Sequence, residues 1–172
     1  MDLHDWLIET TAADIMVREV ITLNCQEPLS AAADLFLREQ VSGVPVVGSD
    51  GRCCGVLSVI DVISADQTVA REIQKVADSS LFHTSLALPA SIYRDKIAEV
   101  RDKVAPSAEQ PVERFMTTDL VSVAEDAPLK TIIQQMVDAH IHRILVLDSD
   151  RRPKGLVSTV DVLGALHRAG HD

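Results

Sequence analysis

Residues 14–65 align with residues 114–165 without a gap, every position shifted by 100. Met16 falls on Met116, Pro28-Leu29 on Pro128-Leu129 and Val46 on Val146, and the match is densest near the end. There Gly55, Ser58, Asp61, Val62 and Ala65 meet Gly155, Ser158, Asp161, Val162 and Ala165. A repeat restricts the architecture before any helix or strand is assigned. In each copy a short apolar stretch, Val20-Ile21-Thr22-Leu23 or Leu120-Val121-Ser122-Val123, predicts a brief strand. Pro28 and Pro128 suit a helix's first turn. Behind them Leu29, Ala32, Ala33 and Phe36, and Leu129, Ile132, Ile133 and Met136, recur at helical spacing. Two β-rich runs follow, 44–47 with 54–59 and 144–147 with 155–160, each pair joined by a turn, and a last helix is expected to begin around Asp61 or Asp161.

The order strand, helix, strand, strand, helix, stated twice, predicts an α/β (α+β) fold. At about fifty residues neither copy buries enough surface alone, so the two are expected to pack with pseudo-twofold symmetry around a shared ligand cleft. The expected segments are 1–13, an N-terminal helix docking on the module or on a second chain; 14–65, the first repeat; 66–110, a helical insertion and linker; and 114–168, the second repeat. In the insertion Val69, Ile73 and Val76, then Tyr93, Ile97, Val100 and Val104, predict two helices flanking an apolar loop with Leu81, Phe82, Leu86 and Leu88.

Composition narrows function mainly by exclusion. A formal net charge of −10, without a basic stripe interleaved with aromatics, disfavours nucleic acid. It leaves room for a local anion site, and Arg143, Arg151, Arg152 and Lys154 form the densest basic neighbourhood. Apolar runs fall well short of the roughly 20 residues that span a bilayer. Asp2, Asp5 and Glu9 do not read as a secretory signal, and three cysteines make no disulfide framework. A cytoplasmic protein is expected. No nucleophile, base and metal form a recognisable catalytic group, so no enzyme is expected. His140 and His142, two apart on an expected strand, would share a face, but two histidines do not fill a zinc shell and no metal is expected.

The strings Val44-Pro45-Val46-Val47, Asp50-Gly51-Arg52, Gly55-Val56-Leu57-Ser58-Val59-Ile60-Asp61 and Gly155-Leu156-Val157-Ser158-Thr159-Val160-Asp161 resemble cystathionine β-synthase (CBS) domains, which occur as tandem pairs of this element order. The resemblance implies a stand-alone CBS pair of the adenine-nucleotide type. In nucleotide-binding members the aspartate of Gly-x-x-Ser/Thr-x-x-Asp holds the ribose hydroxyls and the serine or threonine positions the ligand. That implicates Asp61 with Ser58, and Asp161 with Ser158 and Leu156. The alternative is that both aspartates only cap their helices. His142-Arg143 resembles the pair that contacts phosphate in the regulatory gamma subunit of AMP-activated protein kinase, and the planar guanidinium suits phosphate. By the same resemblance, the cleft of Asp161 takes Ile21, Val41 and Ser42 as an adenine wall, and the cleft of Asp61 takes Val121, Ile141 and His142. Copy one has Ser42-Gly43 where copy two has His142-Arg143, so two equally strong phosphate sites are not expected.

The expected function is regulatory: AMP, ADP or ATP, or else S-adenosylmethionine or NAD, binds between the repeats and shifts how lobes or two chains of a homodimer sit. No cofactor is required. The competing class is an interaction scaffold with empty clefts, recruiting an unidentified protein target.

Overall fold

The computed structural model describes residues 2–65 and 107–169, so the two helices and apolar loop expected within the insertion lie outside the described residues. Two compact units emerge, and neither coincides with one sequence repeat.

The unit built on the first copy comprises Thr22–Ser49 and Cys54–Thr118. Its elements are β1 (Leu23–Asn24), α3 (Leu29–Glu39), β2 (Gly43–Val47), β3 (Cys53–Ser58, its first residue counting with the other unit) and α4 (Val59–Ser64). The three strands form a sheet of order β1-β2-β3, with β1 parallel to β2. Val44, Val46 and Leu57 from the sheet bury against Leu29, Ala32, Ala33 and Phe36 of α3 and Val59, Val62 and Ile63 of α4. This is the helical stripe expected from the spacing of the apolar residues.

The other unit comprises Met1–Ile21, Asp50–Cys53 and Asp119–Asp172. It holds α1 (Leu3–Glu9), α2 (Ala12–Ile15), β4 (Ser122–Val123), α5 (Leu129–Asp138), β5 (Arg143–Leu147), β6 (Pro153–Ser158) and α6 (Thr159–Ala169). The sheet order is β4-β5-β6. Strands β5 and β6 run antiparallel from Arg143 opposite Ser158 to Val146 opposite Gly155, and a register shift follows at Leu147.

Each copy is completed by a segment that precedes the other copy in the chain. Ala12 and Ala13 donate backbone N–H groups to the carbonyls of Ala127 and Glu125, and Leu129 donates to Thr10 (2.9, 2.9 and 2.8 Å). One hundred residues on, Val112 and Glu113 donate to Glu27 and Cys25, and Leu29 donates to Gln110 (2.9, 3.2 and 2.9 Å). Further along, Val17 and Leu156 exchange both backbone bonds at 2.9 Å, as do Thr117 and Val56. Ala12 is wholly buried in the core of the second copy and Val112 in that of the first. Burying one valine side chain stabilises by about 1.5–3 kcal/mol. Trp6 and Leu7 of α1 pack on the same core as Ala12, so the N-terminal helix docks on the second copy.

Several local expectations need correction. Val20 and Leu120 stand outside the short strands; they pack with Cys53, Leu145 and Leu147 instead of joining the ladder. Pro28 and Pro128 are N-caps with extended backbone, one residue before their helices. The last helices start at Val59 and Thr159, because Ser58 and Ser158 take over as caps.

Candidate functional site

Both Ser-x-x-Asp strings fold into the same corner. Ser58 closes β3, and its backbone N and Oγ donate to Asp61 Oδ2 at 2.7 and 2.6 Å, while Asp61 N donates back to Ser58 Oγ at 3.3 Å. In the second copy Ser158 N and Oγ donate to Asp161 Oδ2 at 2.8 and 2.5 Å, and Asp161 N donates to Ser158 Oγ at 3.2 Å. This reciprocal box satisfies donors at the helix start that the helix itself leaves open. The capping role is therefore real in both copies. The accepted bonds land on Oδ2 and leave Oδ1 outside the cap. A carboxylate has about four lone-pair sites to offer.

A third box of the same type lies away from both corners, at Thr11 and Asp14. Thr11 N and Oγ1 donate to Asp14 Oδ2 at 2.8 and 2.7 Å at the start of α2. The backbone bond from Thr11 and then its hydroxyl hold the Asp14 carboxyl below its ordinary value; burial opposes them, and the Arg18 charge adds a lesser lowering.

The strand entrance beside each corner is also duplicated. Thr159 N donates to His142 O at 3.0 Å, and Val59 N donates to Ser42 O at 3.0 Å. In the second copy Arg143 lies directly opposite Ser158 across the β5-β6 pair. Opposite residues of an antiparallel pair share a face, with Cβ atoms about 4.5–5.5 Å apart. Arg143 and His142 are exposed, and Ser158 and Asp161 are half-buried, so a cation and a carboxylate flank one serine at the surface of a single unit. In the first copy the position of Arg143 is Gly43, where a Cβ would sit 3.9 Å from Ser58 Cβ.

Among the remaining expected site residues, Val41 and Ser42 follow the left-handed Gln40 at the end of α3, in the unit that holds Asp61. Ile141 and His142 follow the left-handed His140 at the end of α5, in the unit that holds Asp161. Ile21 and Val121 precede β1 and β4 and stay 38% and 37% exposed. Leu156 is half-buried in β6 opposite Leu145. The shared-strand placement of His140 and His142 fails: His140, at φ 53°, belongs to the turn that ends α5 and not to β5.

Glycine at 55 and 155 is set by close approach of another segment. A Cβ on Gly55 would meet Thr117 O at 2.7 Å and Met116 Sδ at 2.8 Å; one on Gly155 would crowd the Met16 side chain, with Cγ at 2.8 Å. Both glycines therefore admit the crossing segment beside the corner.

The CBS domain family model matches residues 12–68 and again 112–168, and the chain belongs to that family as a tandem pair. An uncharacterized protein of Methanocaldococcus jannaschii is 24% identical over 153 residues, covering 89% of both chains. A homoserine O-acetyltransferase of Methanohalobium evestigatum is 22% identical over 160 residues, but the matched part is 25% of that enzyme. Among solved structures, CBSX2 in complex with AMP is similar with a TM-score of 0.65 at 17% identity, covering 93% of this chain and 98% of that one. The CBS domain pair of protein MJ0100, in complex with 5-methylthioadenosine and S-adenosyl-L-methionine, gives 0.60 at 18%, with the same coverage. These likenesses establish the fold. Among the described residues no helix is long and apolar enough to cross a membrane.

Proposed function

We propose that the chain is a regulatory module that binds adenosine-type ligands at the Ser58/Asp61 and Ser158/Asp161 corners and carries out no chemistry of its own. The observation that carries this reading is the capped aspartate with an uncommitted Oδ1. That oxygen can accept both hydroxyls of a ribose while Oδ2 keeps the helix start intact. Beside Asp161, Arg143 supplies a planar donor fork for phosphate, and His142 a neighbouring donor. Ile21, Val41, Ser42, Val121 and Ile141 are the residues the family resemblance offers as walls for a base, and Ile21 and Val121 keep part of their apolar surface exposed. AMP, ADP or ATP are the leading ligands, with S-adenosylmethionine and NAD behind them. Occupancy would act by favouring one arrangement of the module or of a cytoplasmic homodimer, through differential affinity.

Thermal unfolding with AMP, ADP, ATP, S-adenosylmethionine and NAD tests this. A true ligand raises the melting temperature by mass action. Asp161→Ala reduces the shift and Asp61→Ala with Asp161→Ala abolishes it if the reading holds, and no shift from any of the five ends it.

A second reading, an interaction scaffold, draws on α6, where Val160 and Leu163 are 73% and 64% exposed and Leu166 continues the row. Under that reading, Leu163→Asp releases a second chain or protein target without altering nucleotide response. Size-exclusion light scattering distinguishes the two.

A further inference from the structure

We infer that residues 1–65 and 107–172 are complementary binding partners: each offers the other a docking surface in both units, and these surfaces fit the complementary half whether it comes from the same chain or from a second copy. The inference is independent of any ligand.

Both units are assembled from the two sides of residues 66–106. One joins Thr22–Ser49 and residues 54–65 to residues 107–118; the other joins Met1–Ile21 and Asp50–Cys53 to residues 119–172. The bonds that close each unit run across this divide. Besides the exchanges of Val17 with Leu156 and of Val56 with Thr117, Ser30 N donates to Ala108 O and Cys53 N to Arg151 O, at 2.9 and 2.8 Å. Gln26 Nε2 donates to Glu113 Oε2 at 3.0 Å. Apolar burial crosses in both directions. Val112 enters the core of the first copy with Phe115 and Met116 packed beside it, and Ala12 and Met16 enter the core of the second with Trp6 and Leu7.

Neither half is complete alone. Parted, each would carry an unfilled core and backbone groups without partners, which is costly for groups that are buried in the whole. Joined, the halves close two surfaces at once, and each surface holds the other in place. Between two such surfaces a covalent link adds effective concentration and no new contact. The union also governs both Ser-x-x-Asp corners. Strand β3 ends at Ser58 and is bonded through Val56 to Thr117 of the opposite half; β6 ends at Ser158 and is bonded through Leu156 to Val17. Each corner therefore stands on a strand that the other half secures.

The test is to produce the full chain as two coexpressed pieces, 1–86 with an affinity tag and 87–172 without one. The tagged piece should retain the untagged one in equal amount. The pair should melt in a single transition whose midpoint rises with protein concentration, because folding and association are then one equilibrium. Val112→Asp in the untagged piece should abolish retention by placing a charge in the core of the first copy, whereas Val137→Asp, at a residue 64% exposed, should leave it intact. Where one piece fails to accumulate, a circular permutant decides. Asp2 and Ala169 belong to the same unit, so a flexible glycine-serine connection joins the ends while the chain opens between residues 86 and 87. It should fold and melt in one transition. Pieces that purify apart, a pair that melts in two steps independent of concentration, retention indifferent to Val112→Asp, or a permutant that does not fold overturns the inference.

Discussion

The first and second copies hold their aspartates with the same backbone and cap bonds, yet the strand entrance beside them is Ser42-Gly43 in one and His142-Arg143 in the other. A contrast recurs where the crossing segments pass: Gly55 faces a backbone carbonyl of its segment as well as the Met116 side chain, whereas the atoms nearest Gly155 all belong to the Met16 side chain. Backbone bonding has been kept through the duplication, and side chains at the corners have been free to diverge. The backbone frame and the side chains beside it thus vary independently in this protein.

The largest effect should come from Gly55→Ala. Its new methyl would collide with Thr117 O, which is already fixed in a two-bond exchange with Val56, so we expect a loss of about 1–3 kcal/mol, the usual range for overpacking. Gly155→Ala should cost less, because Met16 can change rotamer, and Met16→Ala in the same chain should recover part of the loss. Urea unfolding of the variants checks both; equal costs would break the contrast between the crossings.

Next in size are the three caps. Asp61→Asn, Asp161→Asn and Asp14→Asn should each destabilise by about 1 kcal/mol, as cap losses generally do. Only the first two should change ligand response in the thermal assay. A ligand effect from Asp14→Asn would show that the boxes act through stability alone.

A smaller effect, of opposite sign, is expected at the hairpins. Gly51 and Arg151 occupy the same left-handed position, φ 78° and 64°. Arginine is strained there, so Arg151→Gly should stabilise by up to about 1 kcal/mol, less whatever the freer unfolded chain takes back. Thermal unfolding measures it, and a destabilised variant would refute the strain.

The smallest effect concerns pH. Asp14 has its folded pKa below its ordinary value, so its contribution is present above the ordinary carboxylate range and is lost as pH falls through the folded value. The melting temperature of Asp14→Asn should accordingly lack that component of the acid-side decline, whereas the unaltered chain shows it.

Much of this was legible in the sequence because it was written twice. The helical stripes, the hairpins and the Ser-x-x-Asp corners each carry side-chain signatures, and a gapless offset of 100 pairs them without ambiguity. The crossing of segments was not legible. Its bonds join backbone groups such as Ala12 N and Ala127 O, which any residue except proline could supply. The one available hint was the pair of buried glycines, and glycine alone does not say what approaches it. His140 misled for a related reason: its sequence neighbours are strand-like, but the α5 helix ends in a left-handed turn that consumes it.

That exchange of segments carries a lesson for anyone dissecting the molecule. A fragment cut at the repeat boundaries 14–65 would keep its own three strands and yet be missing Val112, the plug of its own interior. Dissecting the chain into working pieces therefore means cutting so that residues 107–117 stay with the first copy and residues 3–17 with the second.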